Sequence, residues 1–190
     1  MSTFGGNGQI HVEVKVDTPS LESVHRRLGK LGSKAPQVMA KALNKTAKQA
    51  RRRLSDKARE AYTIRTGKFN ASMKIKNASG GNLVAIINSE GRPEKLSHFK
   101  YSAPKSGAKA QVVVAGGLKP LIKGNIKAWK GLNGLIWQRV GQPRLPIKAL
   151  SSNSIPKMIG SERRVYGIVK KNIQSDLQKN IEYQIKRLVG

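Results

Sequence analysis

The chain contains no cysteine, so disulfides and thiolate metal sites are excluded and the redox compartment is left open. Acidic residues are scarce. Ten carboxylates stand against 37 lysines and arginines, giving a formal net charge of +27 and an isoelectric point near 10.9. Aromatic residues number nine in 190, and hydrophobic residues make up only 38 %. That implies a modest core with long connections, stabilised in part by neighbouring subunits. No stretch approaches the roughly 20 apolar residues of a membrane span. Residues 1–8 lack the apolar segment of a secretory signal. No membrane partner is expected. The three histidines, His11, His25 and His98, are far apart and have no ligand-type spacing, which argues against a metal site.

What is present is basic charge, spread along the chain rather than gathered in a tail. This describes a charged folded body, and a polyanion nearby would relieve its self-repulsion. The stretch from Pro36 to Tyr62 concentrates the pattern. Pro36 suits the first turn of a helix. Met39, Leu43, Thr46, Ala50, Leu54 and Ala61 recur at helical spacing. This narrow, alanine-rich stripe predicts close packing against a sheet or another helix. The other faces carry Lys41, Lys45, Lys48, Arg51, Arg52, Arg53, Lys57 and Arg59 against Asp56 and Glu60, a net +6 on one helix.

Before this helix, Met1–Gly8 is glycine-rich and read as flexible. Gln9–Val16 alternates as a half-buried strand, with Ile10, Val12, Val14 and Val16 on one face. Asp17-Thr18-Pro19-Ser20 supplies helix-start chemistry for a helix carrying Leu21, Val24, Leu28 and Leu31, ended by Gly29 and Gly32. After it, Ala71–Asn88 reads as a β-hairpin exposing Lys74 and Lys76. Ser89–Lys130 is irregular and strongly basic, and reads as a long functional loop or a β-arm that orders in an assembly. Within it, Gln111–Ala115 has strand character. Leu135–Val140 reads as a strand, Pro143–Ile147 as extended chain and Ser151–Ile155 as a polar linker. A closing helix is expected from Ser161, with Glu162 in its first turn. Val165, Val169, Ile173, Leu177, Ile181, Ile185 and Leu188 form its apolar stripe.

No reaction chemistry is legible. Asp56 and Glu60 lie one turn apart, and are read as partners of Lys57, Arg52, Arg59 or Arg53 rather than as an acid–base pair. Gly5-Gly6-Asn7-Gly8 precedes a strand instead of following one, and no Walker or nucleophile-elbow pattern occurs. Phe99, Lys100, Tyr101, Trp129, Trp137 and Arg139 interleave aromatic and basic character. Stacking platforms normally gather several aromatics on one sheet, so the tryptophans are read as core anchors. Any nucleic-acid contact is expected to be electrostatic and sequence-independent. No catalytic residue, cofactor or metal is expected.

Three blocks together resemble the minor tail protein Z family of long-tailed phages, also called tail completion proteins. They are Ala42-Leu43-Asn44-Lys45-Thr46-Ala47; Gln138-Arg139-Val140 followed by Arg144-Leu145-Pro146-Ile147; and Glu182-Tyr183-Gln184-Ile185. The resemblance runs from about Ser20 to Leu188. It implies a virion structural protein at the head-proximal end of the tail, helping to place the end of the packaged double-stranded DNA in the tail opening. It further implies rings of subunits, six or a divisor of six, against tail tube, tail terminator or neck proteins. Residues 89–130 match no block of the family.

These readings combine into an α+β fold. A small, mostly antiparallel sheet is packed by the central and closing helices, in a single domain over residues 9–190 with a basic insertion at about 89–130. The alternative function is a stand-alone, sequence-independent nucleic-acid-binding protein. The expected DNA or subunit contacts are Lys45, Lys48, Arg51, Arg52, Arg53, Arg65, Lys68, Lys105, Lys109, Arg139 and Arg144.

Overall fold

The structure, a computed structural model, describes residues 2–5, 8–64 and 68–189. In chain order the helices are α1 (Thr18–Leu28), α2 (Ala35–Ala61), α3 (Lys68–Ser72), α4 (Ile155–Ile159) and α5 (Tyr166–Val189). The strands are β1 (Ser2–Gly5), β2 (Gln9–Lys15), β3 (Met73–Lys76), β4 (Val84–Glu90), β5 (Pro93–Lys95), β6 (Lys100–Ser102) and β7 (Lys109–Gln111). They continue as β8 (Lys119–Pro120), β9 (Ile122–Lys123), β10 (Ile126–Lys127), β11 (Trp129–Lys130), β12 (Ile136–Arg139), β13 (Ile147–Ala149) and β14 (Ser151–Ser154). The fold is α+β, with small antiparallel sheets and two long helices.

The main sheet has the order β1-β2-β4-β3. Its register aligns alternate residues into rows on the core face: Val12, Ile87 and Ile75 form one, and Ile10, Ser89 and Met73 the next. The opposite face carries the exposed Lys74 and Lys76 and a 2.6 Å His11–Asn88 contact. Helix α2 touches β2, β3 and β4 and also packs along α5, so it joins the sheet to the closing helix. Its stripe is buried as the spacing requires, with Met39, Leu43, Thr46, Ala50 and Leu54 at 2 % exposure or less. Ala58 rather than Ala61 completes it.

Helix α1 starts where Asp17 accepts a 3.0 Å hydrogen bond from the Ser20 N–H. It ends at Leu28 because Gly29 adopts φ +50°, which side-chain-bearing residues avoid. Helix α5 begins later than its periodicity suggests. The N–H groups of Val165 and Tyr166 both donate to the Ser161 carbonyl, closing a turn ahead of the helix. The Glu162 carbonyl then passes so close to Gly167 that a Cβ there would lie 2.1 Å from it. Glu162 therefore sits in that turn, outside the helix.

Four other segments differ from their sequence reading. Ser2–Gly5 is not free chain: it pairs with Gln9–Val12 as the edge strand β1. Residues 151–154 are not a linker: β14 pairs with β5. The two prolines at 143 and 146 do not keep the chain extended. The Val140 N–H donates to the Pro146 carbonyl at 3.0 Å, so this stretch turns back from β12 to β13. The basic insertion is not a projecting arm either. Its strands are short, and Leu96, Phe99, Ala108, Ala110 and Ala128 join the same apolar core as α2 and the main sheet. Backbone bonds from Leu96 to Leu150 and from Thr63 to Val112 tie it to the rest of the fold near its start and at its middle. Leu96 and Phe99, with small alanines spaced between the lysines, seat it. Gln111–Ala115 splits accordingly, with β7 ending at Gln111 and a 3-10 turn following at Val114–Gly116.

Candidate polyanion-binding surface

The expected contact residues fall into two groups with different surroundings. The first lies along the α2–α5 seam. Thr46 in mid-helix returns its hydroxyl to the Ala42 carbonyl at 2.9 Å, which satisfies its donor. Its oxygen accepts from the Asn180 amide at 2.9 Å, and that amide also reaches Gln49 at 2.8 Å. One turn further along α2, Arg53 makes a two-pronged ion pair with Asp176, which is buried. Lys45 places its Nζ 3.8 Å above the Tyr183 ring. The first and third family-like blocks meet here through Lys45 and Tyr183, while Gln49, Arg53, Asp176 and Asn180, outside the blocks, supply much of the remaining seam. Asn44 of the first block turns the other way and clamps the Ala78 backbone with two bonds, 2.9 and 2.7 Å long.

Arg53 stays half exposed, and the buried Asp176 carboxylate already holds its guanidinium within the chain. Lys68 is likewise engaged by Glu94 at 3.3 Å. Arg52 is almost fully exposed and only 3.9 Å from Asp56 at closest, and Lys48 is exposed. Arg51 is half-buried. Asp56 pairs with Arg52 and Arg59, and Glu60 with Lys57, as their spacing predicted. Arg65 lies outside the described residues.

Helix α1 is tied to α5 by a bidentate pair from Arg27 to Glu182, 2.5 and 2.7 Å long. The Arg27 hydrogen bonds hold the Glu182 carboxyl below its ordinary range. The stabilisation this brings is fully present above the ordinary glutamate value of about 4.3. It is lost as pH falls through the lower folded-state value. Both side chains are half exposed, which limits the pair to about 1 kcal/mol or less. Denaturant titrations from pH 6 to 3 should show a slightly shallower acid decline for Glu182→Gln than for the parent.

The second group lies on the sheet β11-β12-β13. Trp129 pairs with Trp137, and Arg139 with Ile147, in antiparallel register. Alternation places these four side chains on one face. The buried Gln138 points the other way and donates to the carbonyls of Leu121 and Ile126 at 3.3 and 3.0 Å. Those bonds fix the β9–β10 hairpin beside β12 and bring Lys127 near Arg139. The turn between β12 and β13 then adds Gln142 and Arg144. Lys127, Trp129, Arg139, Gln142, Arg144 and Ile147 thus line one cleft of about 510 Å³.

The tryptophans are not core anchors. Trp129 is 38 % exposed. Trp137 is half-buried, with its indole N–H on Asn133 at 3.0 Å and its ring across Gly131, where a Cβ would lie 2.6 Å away. Lys105 and Lys109 are exposed but do not line this cleft. Lys127 and the exposed role of Trp129 escaped the sequence reading. One signal was there: from Lys95 to Ser161 the chain carries twelve lysines and arginines and not a single acid.

Among the described residues, no cluster of histidines and carboxylates could hold a metal ion. No helix there is long and apolar enough to cross a membrane. Compared with protein families, curated proteins and solved structures, the chain matches none of them.

Proposed function

We propose that this chain is a structural protein of a phage tail, completing its head-proximal end in a ring of subunits and lying against the packaged DNA. The observation that carries this reading is the distribution of its charge. Of ten acids, Asp56, Glu60, Glu94, Asp176 and Glu182 are already committed to pairs within the chain. The surplus of +27 therefore remains on the surface for an outside partner. It is spread over a folded body, as suits a channel wall that must attract DNA without reading its sequence. The meeting of two of the family-like blocks in one helical seam supports the resemblance: their residues form part of the subunit's frame. Acidic neighbouring tail or neck proteins would take up part of the charge.

Electron cryomicroscopy of intact particles tests this. Six copies, or a divisor of six, are expected at the top of the tail, and particles lacking the chain should have assembled tails but reduced infectivity. Finding the chain only in nucleoprotein complexes outside the virion would overturn the proposal.

A further inference from the structure

The cleft beside Trp129 combines two features that the reading above does not use. Its cations, Lys127, Arg139 and Arg144, converge with no acid among the lining residues. Beside them stands an exposed indole, on the same sheet face as Trp137 and Ile147. Cations alone would suit any polyanion. An indole exposed among them favours a ligand that brings a flat ring as well as negative charge. Duplex DNA keeps its base faces within its own stack, and a cleft of about 510 Å³ has room for a nucleotide but not for a double helix. A second copy of this chain would bring charge of the same sign. An acidic peptide would satisfy the cations and leave Trp129 and Ile147 without a planar partner.

We propose that this cleft binds an unpaired stretch of nucleic acid, with a base stacked on Trp129 and the adjoining phosphates held by Lys127, Arg139 and Arg144. The site rests on the DNA-contact part of the function proposed above and narrows it to single-stranded segments. It forms once Gln138 has drawn the β9–β10 hairpin against β12, so the cations are positioned before any ligand arrives.

Tryptophan emission tests the assignment, because the chain has only two tryptophans. In Trp137→Phe the signal comes from Trp129 alone. A thymidine 12-mer should quench it, and should bind at least about tenfold more tightly than a 12-base-pair duplex or polyglutamate at the same salt. Trp129→Ala should weaken 12-mer binding by roughly tenfold, while Trp129→Phe keeps most of it. Arg139→Ala with Arg144→Ala should weaken binding and flatten its salt dependence, by about 0.7 in logarithmic slope per lost phosphate contact. Circular dichroism confirms that each variant is folded. Equal binding of duplex or polyglutamate, or full binding by folded Trp129→Ala, would overturn the cleft assignment. The two proposals separate cleanly. Quenching by the 12-mer without incorporation into particles keeps the cleft and removes the tail role. Incorporation without quenching does the reverse.

Discussion

Phe99→Ala should destabilise the chain by about 3–5 kcal/mol, the ordinary cost of emptying a buried phenylalanine site. Phe99 has no exposed surface and is among the largest fully buried side chains. It sits just after a 3-10 turn, Leu96–His98, with its N–H on the Leu96 carbonyl at 3.1 Å. Leu96 in turn donates to Leu150, so this corner is linked to the strands that carry the Trp129 cleft. For a chain of this length the loss corresponds to a melting shift on the order of 10 °C. Thermal melts followed by circular dichroism and by tryptophan emission should fall together, because far-ultraviolet signal is dominated by α2 and α5 whereas both tryptophans lie in the basic insertion or just beyond it. Leu132→Ala, at a fully exposed turn, should change stability by no more than about 0.5 kcal/mol. An unchanged melt for Phe99→Ala would mean that the insertion folds apart from the body, as the free-arm reading of residues 89–130 supposed.

That supposition shows where legibility ended. Residues whose burial is periodic announced themselves: the β2 alternation of Ile10, Val12 and Val14, the Met39–Leu54 stripe, and the Val165–Ile185 stripe all face the core. In the insertion the buried apolar residues besides Leu96 and Phe99 are Ala108, Ala110 and Ala128, in or next to strands two or three residues long. A strand that short has no room to establish a period, and alanine among lysines resembles solvated chain. The same limit hid the ligand-like cleft. Trp129 and Trp137 become neighbours through cross-strand register, and register is a property of paired backbones that no spacing along one strand reveals. The seam between α2 and α5 was half legible. Its apolar rows were legible from spacing, whereas nothing in the spacing of the closing helix marks Asp176 and Asn180 as buried. Their burial follows from partners more than a hundred residues away in the chain, Arg53 and Thr46.

Those partners make the three consecutive arginines of α2 separable by experiment. Arg53→Ala should cost about 2–3 kcal/mol, since it leaves the Asp176 carboxylate, only 11 % exposed, without its cation. The half-exposed guanidinium keeps the loss below that of a fully buried pair. Arg52→Ala should be nearly silent, because its contact with Asp56 is long and solvated. Urea unfolding of the two single variants measures the contrast, and comparable losses from both would contradict the seam as described. The contrast also governs how function must be probed. Reversing the charge of Arg51, Arg52 and Arg53 together would set a glutamate or aspartate against Asp176, so a defect in particles could reflect a broken subunit. Reversing Arg51 and Arg52 alone keeps the Arg53–Asp176 pair and alters only the outward charge. If that surface faces DNA or a neighbouring subunit, the double variant should fold with near-parental stability and still fail to complete particles. Normal infectivity of the double variant, beside a folding defect in the triple, would assign the arginine run to the frame of the subunit and leave Lys48 and the Trp129 cleft to carry the contact.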